Sequence, residues 1–339
     1  MARRPTVKDV ADEAQVSLAS VSLVLNGKAG VGPDTRLRVQ AAIDRLGYQR
    51  RGRRLVIGLL IERLSVPAYS DPLVGLMIHG VEVEAGRRGY HVLLASIEGG
   101  STQFPAMVTE QQVGGLVVVG GGDISDTYIR MLADTNLPLL LVDNYVAGLA
   151  VPCVLGDNVT GAYLATRHLI ELGHERIGIL EGPRKYKTLT ERREGYLRAL
   201  NEAGLPIDPT LMVEPGRHRP RKGYEEARSL LALPISKRPT AIFAISDKTA
   251  LGAMDAVKEA RLRIPDDIAL VGFDDVAESG HSTPSLTTVR LPAHAMGETA
   301  VKMLVDLVAG GVTTPSKTVL YTELVIRQSS SVPHHAIAG

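Results

Sequence analysis

The stretch from Thr6 to Asn26, TVKDVADEAQVSLASVSLVLN, narrows most what this chain can become. Its first half places Val7, Val10, Ala11 and Ala14 at i, i+3, i+4 and i+7, an apolar stripe along one side of a helix. Thr6, three residues ahead of Asp9, forms a capping pair. A second helix starts at Ser17, a favoured N-cap, and turns Val21, Val24 and Leu25 inward. At about 100° per residue, Ala19, Ser22, Leu23 and Asn26 then face outward. A leucine opposite the buried stripe calls for a reason. A small helical hairpin offers none, whereas a helix lying in the major groove uses its outer face to touch base edges. Pattern alone leaves both readings open. A third segment tips the balance: Pro33 stands at a helical N1 position, Val39, Ala42, Ile43 and Leu46 repeat the spacing, and Gly47 stops the helix. Three such helices make a minimal DNA-reading unit.

The run VKDVADEAQVSLASVSLVLNGKAGVGPDTRLRVQAAIDRLGY resembles the DNA-binding headpiece of the lactose/galactose repressor (LacI/GalR) family of bacterial transcription regulators. The rest of the chain, to about Ser330, resembles that family's effector domain. The resemblance implies an N-terminal three-helix helix-turn-helix headpiece over residues 1–48. It implies a short basic linker over 49–55 and an α/β bilobal, periplasmic-binding-protein-like effector domain over 56–331, with two parallel sheets joined by three crossings. The first lobe is expected over 56–157 and 290–319 and the second over 158–289 and 320–331, with crossings near Asp157, Val289 and Leu320.

Charge agrees with this division. Residues 1–54 hold 11 Lys or Arg against 5 Asp or Glu, while the remainder holds 27 against 32. A basic head on a mildly acidic body is the electrostatic footprint of a polyanion reader. The lone cysteine, Cys153, excludes an internal disulfide, fits a reducing compartment and reads as a small buried hydrophobe. Neither a signal peptide pattern nor an apolar run of membrane-spanning length is present, so a soluble cytoplasmic protein with no membrane partner is expected. The tail lacks the apolar heptads that would join dimers into tetramers.

From Leu55 onward the pattern alternates between apolar runs and helical stretches. The runs are LVIGLLI, Val92 to Ala95, Leu116 to Val119, Leu139 to Val142, Ile177 to Leu180, Ala241 to Ile245 and Ile268 to Phe273; Leu73 to Arg88 and Ala162 to Leu172 are helical. Such alternation builds parallel sheets covered by helices on both faces. Ligands of open α/β sheets bind beyond the carboxyl ends of the strands. That makes candidates of Glu62, Asp143 with Asn144, Glu181, Ser246 with Asp247, and Asp274 with Asp275. Carboxylates and amides in a cluster suit hydroxyl-rich ligands.

The resemblance adds Asp71, Pro72 and Leu73 at the turn that lines the family's cleft, Asp157, Phe273, and Arg192 in the pattern Arg-x-x-Gly-Tyr as the clamp from the second lobe. Arg192 and Asp274 lead this set. Asp143, Asp157 and Asp275 read equally well as helix caps or loop anchors, since Asp is a favoured cap. Leu73, Asn144 and Ser246 depart from the family's usual aromatic, arginine and asparagine, which prevents naming a sugar.

The glycine cluster Gly120 to Gly122 lacks a dinucleotide or P-loop pattern, the histidines show no metal spacing, and no nucleophile elbow is present. His168 and His174 read as caps or surface groups. No enzyme and no cofactor is expected.

For DNA, the family's base-reading positions correspond to Leu18, Ala19 and Leu23, all apolar and suited to thymine methyl groups. Thr6, Ser17, Ser20, Ser22 and Asn26 supply polar contacts. The family's longer linker, which folds into a minor-groove hinge helix, is missing, since Tyr48 stands only nine residues before Ile57. In its place Arg51 and Arg53, within QRRGRR, either enter a narrow minor groove or touch phosphates.

The expected protein is a ligand-responsive, sequence-specific DNA-binding regulator. It is by default a repressor, acting as a homodimer on double-stranded operator DNA, with a small-molecule effector, most simply a carbohydrate, between its lobes. An activator or corepressor-dependent regulator is the alternative within the class, and a sugar-binding transport receptor the alternative outside it.

Overall fold

The computed structural model describes residues 5–25, 30–46, 56–62, 71–110, 112–120, 124–135, 137–214, 223–309 and 314–330. Asn26, Arg51 and Arg53, the rest of the 49–55 linker and the side chain of Leu25 lie outside the described residues. The chain divides into two compact units, 1–55 and 56–339.

The first unit holds α1 (Val7–Ala14), α2 (Leu18–Leu25) and α3 (Pro33–Leu46). Thr6 and Asp9 form a reciprocal capping box on α1, and the Ser17 hydroxyl accepts from the Ser20 amide at 3.0 Å to open α2. Val10, Ala11, Ala14, Val21, Val39 and Ala42 form the buried core. Arg38 of α3 donates to the carbonyls of Ala14 and Gln15, at 2.6 and 2.8 Å, capping the end of α1. Leu23 departs from expectation. It is half-buried because the chain returns over it at Gly30, so the outward face of α2 consists of Leu18, Ala19 and Ser22.

The second unit contains two six-stranded sheets. The first comprises β1 (Val56–Glu62), β2 (His91–Ile97), β3 (Gly115–Val119), β4 (Leu139–Val142), β5 (Cys153–Gly156) and β11 (Lys317–Leu320). The second comprises β6 (Ile177–Leu180), β7 (Met212–Val213), β8 (Ala241–Ala244), β9 (Ala269–Asp274), β10 (Thr287–Arg290) and β12 (Glu323–Val325). Their orders, β11-β5-β4-β3-β1-β2 and β12-β10-β9-β8-β6-β7, are the same topology twice. Every pairing is parallel except β10 with β12. The central strands β3, β4, β8 and β9 are buried throughout, as continuous apolar runs require in a sheet covered on both faces.

Helices α4 (Pro72–Arg87) and α12 (Ala293–Val308) cover one face of the first sheet, and α6 (Asp126–Ala133) lies on the other side of it among the second buried cluster. In the second lobe α7 (Asn158–Glu171) packs on α8 (Lys187–Glu202), with α9 (Tyr224–Leu231) and α10 (Asp247–Glu259) on the opposite face; the short helices α5 (Ala106–Thr109) and α11 (Ala277–His281) follow β2 and β9. The α4–α12 crossing is close enough that a Cβ on Gly80 would sit 2.0 Å from the His294 carbonyl oxygen.

The chain passes between sheets after Gly156, after Arg290 and after Leu320. The three crossings touch. A Cβ on Gly156 would lie 2.1 Å from Leu291 Cδ1, the Asp157 amide donates to the Leu320 carbonyl at 2.9 Å, and the Thr322 hydroxyl donates to the Asp157 carbonyl at 3.1 Å. Cys153 is buried on β5. His168 and His174 are half-buried ties to Ser330 and Thr240, at 2.8 and 3.0 Å, and not surface groups. Among the described residues no helix is long and apolar enough to cross a membrane.

Candidate functional site

Helix α8 buries Thr188, Arg192, Gly195, Tyr196 and Ala199, a stripe at helical spacing against α7 and the second sheet. An arginine on such a stripe must find partners, because a buried unpaired charge is costly. Arg192 is 2% exposed. Its guanidinium lies 3.7 Å from the centre of the Phe273 ring. It donates from Nε to Asn158 Oδ1 at 2.9 Å, and from Nη1 to Asp274 Oδ1 at 2.9 Å and to the Ile245 carbonyl at 2.8 Å. Among the described residues Nη2 makes no hydrogen bond. Phe273 is fully buried and serves as the floor on which the guanidinium rests.

Asp143 follows β4 and comes from the other lobe, in a left-handed backbone conformation with φ 58°. Its Oδ1 is buried and, among the described residues, accepts no hydrogen bond. Burial pushes its carboxyl up to about 7 despite the pull of the Arg192 guanidinium, and the charges of Asp274 and Glu191 push in the same direction as burial. Asp143 therefore shares one cleft with Arg192 and Asp274, although it follows a strand of the first sheet while Asp274 ends a strand of the second and Arg192 stands on α8.

The remaining expected site residues divide by what their side chains already do. Asp71 caps α4, accepting from the amides of Leu73 and Val74 at 3.2 and 3.3 Å, and Leu73 packs half-buried on the core. Asp157 caps α7 through the Thr160 amide at 3.1 Å. Ser246 caps α10, and Asn144 ties its own loop to Gly120 and Tyr145. Asp247 is fully buried, and its carboxylate accepts from the Val276 amide at 3.0 Å and from the hydroxyls of Ser279, at 2.7 Å, and Thr288. Burial pushes its carboxyl up to about 7 as well. It braces the second lobe from within and presents no free oxygen to the cleft. Glu181 pairs with Arg193 at 2.8 Å, and Asp275 accepts from Arg290 and Arg327 at 2.8 and 2.6 Å.

Several residues of the site carry no signal in the strand-end reading. Asn158 orients Arg192 and also donates to Glu191 Oε2 at 3.2 Å. The Tyr186 hydroxyl donates to Glu62 Oε1 at 3.0 Å, and Lys187 donates to Asp126 Oδ1 at 2.6 Å. A cue was available: Lys187 with Glu191, and Thr188 with Arg192, stand one helical turn apart, so a single face of α8 carries them.

In the headpiece, Leu18 is 53% exposed at the start of α2, with Ala19 and Ser22 exposed beside it and Ser17 and Ser20 hydrogen-bonded to each other at 2.9 Å. Leu37 of α3 is a second solvent-facing leucine of this unit, 70% exposed; what sets Leu18 apart is its place, with Ala19 and Ser22, on the helix after the turn, the one that a helix-turn-helix lays in the groove.

Known proteins share this sequence pattern and fold. The family model for bacterial regulatory proteins of the lacI family matches residues 6–51, and that for the periplasmic binding protein-like domain matches residues 166–330. The HTH-type transcriptional regulator reg1 of Streptomyces lividans is 36% identical over 336 residues, with 95% of this chain and 96% of that protein covered. Among solved structures, the complex of the transcriptional regulator CelR with cellobiose superposes with a TM-score of 0.73 at 31% identity, covering 96% of this chain and 100% of that one. The lac repressor dimer bound to operator and the anti-inducer ONPF gives a TM-score of 0.70 at 26% identity, covering 97% and 100%. The helix-turn-helix unit, the twofold-repeated α/β lobes and these likenesses along the whole length agree: the chain belongs to the lacI family of bacterial regulatory proteins.

Proposed function

We propose that this regulator is a repressor whose affinity for operator DNA is set by a small polyhydroxylated effector held between the lobes by Asp143, Arg192 and Asp274. One observation carries the reading. A buried carboxylate oxygen without a partner, Asp143 Oδ1, shares a cleft with an arginine whose Nη2 is equally unused. An acceptor and a donor so placed are complementary to a hydroxyl group, which can do both. Phe273 and Asn158 position the guanidinium. Asp71, Asp157 and Leu73 shape the cleft through backbone and packing, and Asp247 acts only by bracing the second lobe. Cellobiose, bound in the CelR complex, is a ligand of this chemistry.

The DNA contact falls to Leu18, Ala19 and Ser22 on the outer face of α2, with Leu23 moved to a supporting role and Thr6, Ser17 and Ser20 near the backbone. Asn26, Arg51 and Arg53 are proposed contacts that lie outside the described residues. A twofold dimer pairs two headpieces with a pseudo-palindromic operator. Leu94 on the edge strand β2 and Leu76 on α4, on the same side of the first sheet, are exposed and supply its apolar face. Relatives of this chain are named as transcriptional regulators, which supports a binding protein without catalysis.

A thermal-shift panel of neutral mono- and disaccharides, nucleosides and sugar phosphates tests the cleft, since a ligand specific to the folded state raises Tm by mass action. The expected hit loses at least tenfold in affinity in Asp143→Asn and changes operator binding in the native protein. A hit indifferent to Asp143 and Arg192, or none across the panel, would overturn the assignment.

A further inference from the structure

We propose that the first turn of α8 is a clasp that holds the two lobes together through the protein's own groups, with Lys187 and Tyr186 setting the resting closure of the cleft. Helix α8 belongs to the second lobe, yet these two residues reach three separate segments of the first. The Tyr186 hydroxyl donates to Glu62 at the end of β1, at 3.0 Å. Lys187 Nζ donates to Asp126 at the start of α6, at 2.6 Å, and to the Tyr145 carbonyl beyond β4. It also lies 5.3 Å from the centre of the Tyr145 ring.

Tyr145 is gripped from other sides. Lys317 of β11 stands 4.3 Å from its ring centre, and Glu191, one turn after Lys187, lies 3.9 Å from Lys317. Burial and the nearby charge of Glu191 push the Tyr145 hydroxyl up to about 12, so it stays protonated at any working pH. One aromatic side chain of the first lobe is thus fixed by cations and a carboxylate drawn from both lobes.

The clasp is chemically separate from the guanidinium site. All three partners of Arg192, and the ring beneath it, belong to the second lobe, so those contacts do not tie the lobes. The clasp contacts differ in depth. Glu62 is 5% exposed, and its bond from Tyr186 is shielded from salt. Lys187 and Asp126 have side chains 26% and 49% exposed, and ions screen that rim pair.

A ligand shifts a conformational equilibrium only by its differential affinity for the two states. A clasp that already favours closure lowers that differential and raises the opening needed for entry. This regulatory consequence rests on the effector reading proposed above, whereas the clasp itself does not.

The test uses neither ligand nor DNA. Spin labels at Thr127→Cys on α6 and Asp255→Cys on α10, both exposed, report the interlobe distance in the full-length protein, with the native Cys153 buried. The native pair should give one narrow distance population that broadens toward longer distances in high salt. Lys187→Asp and Asp126→Lys should each shift it to longer distances. The double reversal should recover the narrow population in part, because the lysine bond to the Tyr145 carbonyl is not restored. A distribution unchanged in either single variant, or no recovery in the double reversal, would overturn the proposal.

Discussion

Asp143 and Asp274 occupy matching ends of the two sheets and meet across the cleft. β4 and β9 hold the same place in strand order, Asp143 follows the one and Asp274 ends the other, and both residues adopt positive φ, 58° and 122°. Non-glycine residues in such conformations cost on the order of 1–3 kcal/mol each and persist where the surroundings impose them. The duplicated fold brings two strained carboxylates together with one arginine between them. The next residue, Asp275, also at positive φ (56°), turns the other way and holds Arg290 and Arg327 beside the second and third crossings. Cleft and hinge are therefore joined at a single dipeptide.

Arg192 is expected to be structural as well as functional. Arg192→Ala removes the countercharge of a buried Asp274 and empties the space above Phe273, and breaking one side of a buried pair costs about 3–5 kcal/mol. Arg192→Lys keeps the charge but loses the ring stacking and the fork of donors, and should recover part of that loss. Urea denaturation of the three proteins checks the order. An Arg192→Ala protein as stable as the native one would remove the ion pair from the core.

The pH dependence of stability follows from Asp143. Its folded carboxyl is raised to about 7 from an unfolded value near 3.8. Between those values the folded state holds a proton that the unfolded state has lost, so the stability it contributes is full below about 4 and is lost as pH rises toward 7. Asp247 adds a slope of the same sign. In Asp143→Asn the decline between pH 5 and 8 should flatten, and the variant should exceed the native protein by about 1–3 kcal/mol at pH 8. Equilibrium unfolding at pH 5, 6.5 and 8 measures this, and parallel curves for the two proteins would contradict it.

The central strands were legible in the sequence because burial on both faces makes them continuous apolar runs. Leu139–Val142 and Ile177–Leu180 begin and end where the sequence indicates. Strands β5, β7, β10, β11 and β12 were not: β7 is only two residues, β5 (CVLG) ends in glycine, and β10, β11 and β12 are partly built of Thr, Lys, Arg or Glu. Their pairing comes from the sheet around them and not from local periodicity. The twofold repetition of topology also left no trace, since equivalent strands share hydrophobicity but not residues.

At the site, a carboxylate at a strand end was visible, but its use was not. Asp143 and Asp247 look alike in sequence, yet one oxygen of the first is unpartnered while Val276, Ser279 and Thr288 occupy the second. That difference depends on residues some thirty to forty positions away. The helical spacing of Lys187 and Glu191 marks a polar face of α8, but the partners of Tyr186 and Lys187, Glu62 and Asp126, lie on the other lobe and carry no local signal.

The proposed DNA-reading role of Leu18 separates recognition from stability at adjacent turns of α2. Leu18→Ala, at a solvent-facing position, should change unfolding free energy by less than about 0.5 kcal/mol, whereas Val21→Ala, at 0% exposure, should cost about 2 kcal/mol. Selection from a random DNA pool with the full-length protein should give altered base preference for Leu18→Ala and the native preference for Val21→Ala. The reverse pattern would move the reading face off Leu18.

Two glycines on α4 make opposite predictions within two turns of one helix. A methyl group at Gly80 would meet the His294 carbonyl oxygen at 2.0 Å, a backbone atom of α12 that cannot rotate away. Gly80→Ala must push the helices apart and should cost about 1–3 kcal/mol or more. Gly86 has nothing within 4 Å of its Cβ position and lies in regular helix. There Ala reduces the freedom of the unfolded chain without a clash, and Gly86→Ala should gain about 0.5–1 kcal/mol. The paired measurement controls for helix propensity, since both substitutions change it alike. If both variants were stabilised, α4 and α12 would not cross as closely as Gly80 and Gly297 allow.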